Sequence, residues 1–335
     1  MKRIIVFGAT GGIGAYTALH LHESGAYEVI AVGHRKSDNG FYEQYGIPYY
    51  SVDIADYDTF AVLPKSGVDT VINLAGVLPA RSYDPRMYIK SFTMGQLNVL
   101  EYMNEVGCKK IISAQTPADL WYLQNTLTPM PADAQRSFPP STDHSIYTIA
   151  KNAAIDITEY YHNTFGISRF ILRFFNVYMY HPNPYYYVDG IKRMMSFRLL
   201  MDRAAAGDDI EVWGDATRSK EMLYVKDLAQ LIQQCVESPL EGGIYNVGSI
   251  KQVTLEEQID GIIDVFTTNK RSKKIHCPDK PNALFNHLDI TKTVDELGYD
   301  PKYSYVEWLK DFKKEMEENR FKLLWGVRAD YEDEA

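Results

Sequence analysis

Apolar residues recur along this chain in two rhythms. Ile4–Phe7, Val29–Val32, Val68–Leu74, Lys110–Ser113 and Arg169–Phe175 are short, largely β-branched runs, and each predicts a strand. Between them, Ile13–Ser24, Pro85–Val106 and Tyr147–Thr164 carry apolar positions at helical spacing, the last ended by Gly166. Strands separated by helices predict a parallel sheet covered on both faces. The handedness rule for crossovers then gives a doubly wound α/β fold. After Asn176 the rhythm breaks. Residues 179–189, with Tyr185, Tyr186 and Tyr187 in succession, read as an irregular loop. Helical spacing resumes over Ile191–Ala206 and Lys226–Glu237. Gly243–Gly248 predicts one more strand, and Tyr303–Asn319 a charged helix before an acidic tail. At about 150 residues per domain, this length predicts two domains. No linker separates them, so the second is expected to interleave with the first.

The first strand runs into Gly8-Ala-Thr10-Gly11-Gly12-Ile13-Gly14, and the first helix follows at once. Glycines at 8, 11 and 14 suit a tight turn, a close approach of backbone to a pyrophosphate, and close helix–strand packing. The helix start adds unpaired N–H groups and a positive dipole. Gly8, Thr10, Gly11, Gly12, Ile13 and Gly14 are therefore the expected dinucleotide contacts. The second strand ends in Gly33-His-Arg35-Lys36-Ser, with no acid before Asp38. An acid there would repel a 2′-phosphate, whereas Arg35 and Lys36 can hold one. These residues favour NADP over NAD.

Composition narrows the remaining classes. Thirty-five basic residues against forty-four acidic ones give a net charge of −9, which opposes nucleic-acid binding. Apolar residues make up 45% and charged residues 24%, which excludes a largely disordered chain. No apolar stretch is long enough to span a membrane. A secretion signal is not apparent, so a cytoplasmic location is expected. Cys108, Cys235 and Cys277 are scattered and the histidines lack ligand spacing, so no metal site is expected.

Tyr147 and Lys151 lie four apart on a predicted helix and so share a face. A neighbouring ammonium favours the phenolate form of a tyrosine. Such a pair can exchange a proton with a sugar hydroxyl or carbonyl. The order of the glycine loop, Asn73-Leu74-Ala75-Gly76 and Tyr147/Lys151 resembles the short-chain dehydrogenase/reductase superfamily. Arg173-Phe-Phe-Asn176, Val212-Trp-Gly-Asp215, Met222-Leu-Tyr-Val-Lys-Asp227 and Gly243-Ile-Tyr-Asn-Val-Gly248 resemble its extended branch of nucleotide-sugar epimerases and dehydratases. The resemblance covers nearly the whole chain. It implies a Rossmann domain from residues 1–178 and 224–249, and a smaller α/β substrate domain from 179–223 and 250–335. It also implies that Asp53 and Ile54 border the adenine, that Leu74, Ala75 and Gly76 line the adenosine side, and that Lys151 holds the nicotinamide ribose. Thr116 takes the position of the hydroxyl that bonds the reacting sugar oxygen, with Ser113 as the fallback. Asn176, Val212, Lys220 and Arg81 are the implied substrate contacts. A homodimer paired through the helices near 94–106 and 147–164 is implied as well.

Two departures bear on chemistry. The 4,6-dehydratases of this branch follow their threonine with Asp-Glu, whereas Pro117 and Ala118 stand here. Neither moves a proton, and Asp119 is one residue displaced. The expected chemistry is therefore 4-epimerisation through a transient 4-keto sugar, with NADPH-dependent 4-ketoreduction as the alternative. A non-catalytic NAD(P)-sensing scaffold is the alternative of a different class. The arginines that usually clamp the substrate diphosphate are also replaced, by Lys220 and by His276-Cys277. Lysine keeps the charge and loses the bidentate fork. Arg81, Arg218 and Lys280 are the candidates to compensate.

Overall fold

The computed structural model describes residues 1–78, 84–126, 128–142, 144–188, 191–282, 284 and 286–332. In chain order its first half is β1 (Lys2–Phe7), α1 (Gly12–Glu23), β2 (Tyr27–Gly33), β3 (Tyr49–Ser51) and β4 (Thr70–Asn73). Then come α2 (Pro85–Tyr88), α3 (Gly95–Val106), β5 (Lys110–Gln115), α4 (Ser145–Phe165) and β6 (Ser168–Arg173). Six of the seven strands of one parallel sheet arise here. The strand Gly242–Asn246 joins its edge beside β6, and the order is Gly242–Asn246, β6, β5, β4, β1, β2, β3. Strand order reverses between β1 and β4, so the crevice above their carboxyl ends is where a ligand binds in such folds.

The apolar runs are unbroken because both faces of the sheet are covered. Side chains alternate along a strand. Ile4 and Val6 face one core, with Leu19 of α1 and with Leu228 and Ile232 of the helix Val225–Glu237. Ile5 and Phe7 face the other, with Val99, Leu100 and Met103 of α3.

Three expectations are corrected. The tyrosine-rich stretch is irregular only over 179–184: Tyr185–Val188 pairs antiparallel with Ile191–Met194, and the following helix starts only at Ser196. Tyr–Tyr–Tyr–Val is a favourable strand sequence. The stretch 85–106 is not one helix, because a π-helical turn, Ile89–Met94, joins α2 to α3. Strand β3 and the helix Leu255–Phe266 carried no expectation. Outside the main sheet, Ile210–Trp213 pairs in parallel with Lys274–Cys277. The helix Tyr305–Glu318 then leads to a short helix, Lys322–Trp325, that returns to the glycine loop.

Candidate active site

The loop after β1 turns at Gly8, whose φ of +80° is left-handed. A β-carbon there would lie 2.7 Å from the Ala75 amide nitrogen, so the loops after β1 and β4 touch main chain to main chain. A β-carbon at Gly14 would overlap the Gly8 carbonyl oxygen. Gly11 starts α1 without a side-chain cap, and the N–H groups of Gly12, Ile13 and Gly14 open onto the crevice end of the helix. This cradle fits a dinucleotide pyrophosphate. Met179 packs against Gly12 from the far side of the loop, and Ile13 packs against the core.

The C-terminal helix adds contacts that no sequence pattern announced. The Trp325 indole N–H donates to the Thr10 carbonyl at 3.0 Å. Arg35 donates to the Leu324 carbonyl at 2.6 Å, while Lys36 is exposed. Arg35 is thus bound to protein at the position where the sequence expectation gave it a phosphate. Asp53 receives the Ala55 N–H and stands 3.7 Å from His34. Ile54 is buried against Gly95, and its carbonyl receives the Asn98 amide. Asn73 anchors the next loop, receiving the Ala75 N–H and donating to Gln96.

The chemical group assembles from β5 and α4. Thr116 follows β5 and caps the turn Pro117–Leu123, receiving the Ala118 N–H at 3.2 Å. Its hydroxyl lies close enough to the Tyr147 phenol to pull that group's pKa down. Lys151, one turn along α4, donates to the Ala114 carbonyl at 2.7 Å, and its ammonium sits 6.0 Å from the Tyr147 ring centre. Burial pushes the Tyr147 phenol up to about 12 against the pull of the nearby Thr116 hydroxyl. Burial alone lowers Lys151 to about 8. Ser113 remains in the strand, paired with Asn73 and Ile171.

Asp119 is engaged by the framework beside this group, and its charge also raises the Tyr147 phenol. It is wholly buried, ion-paired with Arg173 at 2.9 Å and bonded to Gln115 at 3.1 Å. Burial raises its carboxyl against the opposing pull of Arg173. Arg173 also reaches the Ala132 carbonyl and Asn246, so the pair ties the ends of β5 and β6 together. It serves the framework.

The expected substrate contacts are dispersed. Asn176 is exposed after β6. Val212 is fully buried in the core, so its side chain is unavailable to a ligand. The Lys220 ammonium lies 5.8 Å from the Tyr178 ring centre. Arg218 bonds Asn125, and Lys280 sits over the Trp213 ring. Arg81 lies outside the described residues. Phe92, which touches Gly76, Tyr147 and Lys151, was missed. Its apolar character inside a helical stretch reads only as core.

Residues 4–248 match the family described as the NAD dependent epimerase/dehydratase family. A UDP-glucuronate 4-epimerase of Thermodesulfobacterium geofontis is 26% identical over 78% of this chain and 77% of its own. The UDP-glucuronic acid decarboxylase 5 of Arabidopsis thaliana is 25% identical over 97% of this chain and 91% of its own. Among solved structures, a UDP-glucuronic acid 4-epimerase mutant from Bacillus cereus, in complex with UDP-4-deoxy-4-fluoro-glucuronic acid and NAD, superposes with a TM-score of 0.73. It is 20% identical, and the match covers 95% of this chain and 99% of that one.

Proposed function

The chain belongs to the NAD dependent epimerase/dehydratase family, and on that premise we propose that it is an NAD-dependent 4-epimerase of a nucleotide sugar. One observation carries the reading: the Thr116 hydroxyl, the Tyr147 phenol and the Lys151 ammonium meet at the end of β5, while Asp119 is spent on Arg173. That set moves a proton at a hydroxyl and leaves carbon-bound protons without an acid or base.

The glycine loop and the start of α1 hold the pyrophosphate, Asp53 and Ile54 border the adenine, and Leu74, Ala75 and Gly76 line the adenosine side. NAD, when bound, supplies the acceptor that takes a hydride from the sugar and returns it. Thr116 orients the sugar 4-oxygen by a hydrogen bond. Tyr147, once deprotonated to the phenolate, accepts the hydroxyl proton at its phenolic oxygen and gives it back once the keto sugar has turned over. Lys151 holds the nicotinamide-side ribose and favours the phenolate by its charge. The preference for NADP drawn from Arg35 and Lys36 finds no support. The family is NAD dependent, the superposed epimerase carries NAD, and Arg35 is bonded to Leu324.

Both UDP-glucuronate-acting relatives suggest a UDP-hexuronate or UDP-hexose as first substrates to try. The test is proton NMR of each sugar after incubation with enzyme and catalytic NAD. A 4-epimer with no net change of NAD supports the proposal. Stoichiometric oxidation of NADPH by a 4-keto sugar, without an epimer, makes the protein a reductase instead. Binding without turnover of any kind leaves the scaffold reading.

A further inference from the structure

Phe92 stands where the cofactor and the catalytic pair must meet. It lies on the π-helical turn Ile89–Met94, and such turns occur frequently at functional sites. Its ring centre is 4.5 Å from the Lys151 ammonium and 5.3 Å from the Tyr147 ring, which it meets edge-on. On its other side it fills the space beside Gly76 so closely that a β-carbon there would overlap the ring. The ammonium is therefore held between an aromatic face and the Ala114 carbonyl. Only a narrow recess remains beside it, lined by Asn73, Ser91, Gln96 and Ser113, all neutral.

We propose that Phe92 is a positioning residue that shields Lys151 and occupies the space of the nicotinamide-side ribose, so that cofactor entry turns the ring aside. This rests on the reading that Lys151 borders that ribose. The ring contact holds the lysine side chain extended towards Tyr147. It also keeps water from the ammonium until the cofactor arrives. An attractive contact of this kind is weak enough to be exchanged for hydrogen bonds from ribose hydroxyls.

The experiment has one arm without cofactor and one with it. In the first, acetylation of Lys151 in the folded protein is followed across pH by peptide mass spectrometry, for the parent and for Phe92→Ala, Phe92→Leu and Phe92→Tyr. Shielding predicts that Phe92→Ala raises the limiting rate about tenfold. The midpoint then moves upward from about 8, because a hydrated ammonium is easier to keep. Phe92→Tyr should retain the parental profile, and Phe92→Leu should fall between; Phe92→Leu stands in for Phe92→Ala if the latter does not fold. An unchanged profile in a folded Phe92→Ala or Phe92→Leu protein overturns the shield. In the second arm NAD is titrated calorimetrically. Displacement predicts at least threefold tighter binding to Phe92→Ala than to the parent. Equal or weaker binding overturns it and makes the ring a wall of the cofactor site. If the parent itself fails to bind NAD, the proposed function falls, and the acetylation arm still decides whether Phe92 shields Lys151.

Discussion

Tyr147 is poised as a neutral phenol: burial raises it to about 12, and the nearby Thr116 hydroxyl offsets only part of that. It is therefore a proton donor or acceptor only in partnership with the groups around it, and removing its oxygen removes the transfer path. Tyr147→Phe should bind NAD as the parent does, because the cradle is main chain, and lose turnover by about 100-fold or more. Single-turnover absorbance beside calorimetry checks both halves; a parental rate would remove Tyr147 from the mechanism. Asp119 and Arg173 are the opposite kind of pair, buried and bonded to one another. Removing one partner strands the other charge, so Arg173→Met should lower unfolding stability by about 3–5 kcal/mol. Urea titration reads this. Asp119→Asn should cost less, since an amide still accepts from Arg173.

At the scale of elements, the site depends on a short C-terminal helix far away in sequence. Lys322–Trp325 presents the Leu324 carbonyl to Arg35 and the Trp325 indole to the Thr10 carbonyl. Beyond it, Arg328 grips Asp202 with two nitrogens, so the same segment also holds the helix Ser196–Ala206. Arg35→Ala should therefore cost about 1.5–3 kcal/mol, the worth of a hydrogen bond from a charged donor, and leave NAD affinity within about twofold. Thermal unfolding and NAD titration check it. A selective loss of NADP binding with full stability would restore Arg35 to the cofactor. In the glycine loop the constraint is steric. Gly14→Ala forces α1 away from the Gly8 carbonyl, so both stability and NAD affinity should fall, the latter by about tenfold or more.

Across the whole molecule, stability responds to pH through Glu221. Burial raises its carboxyl to about 8, although it accepts the Leu288 N–H at 2.7 Å and stands 3.8 Å from His287. The folded chain then binds a proton that the unfolded chain, near 4.5, has released. Stability contributed by this group is full below about 4.5 and is lost as pH rises towards 8. Denaturation of the parent across that window should show the decline. Glu221→Gln, which keeps a neutral side chain at every pH, should flatten it. An equal slope in both proteins would place the effect elsewhere.

Local patterns sufficed for what local physics decides. Unbroken Ile and Val runs gave β1, β2, β4, β5 and β6, because a strand buried on both faces needs no polar alternation. The glycines of the first loop and the four-residue spacing of Tyr147 and Lys151 were legible for the same reason, since turn sterics and helix period act over a few residues. Position in space was not. Whether Asp119 served the site depended on Arg173, fifty-four positions on. Arg35 is bonded to a carbonyl 289 positions away. Phe92 reads as a core residue until the loop at Gly76 and the helix at Lys151 close around it. Each is a choice among partners brought together by the folded sheet and its covering helices, and no spacing along the chain encodes which partner arrives.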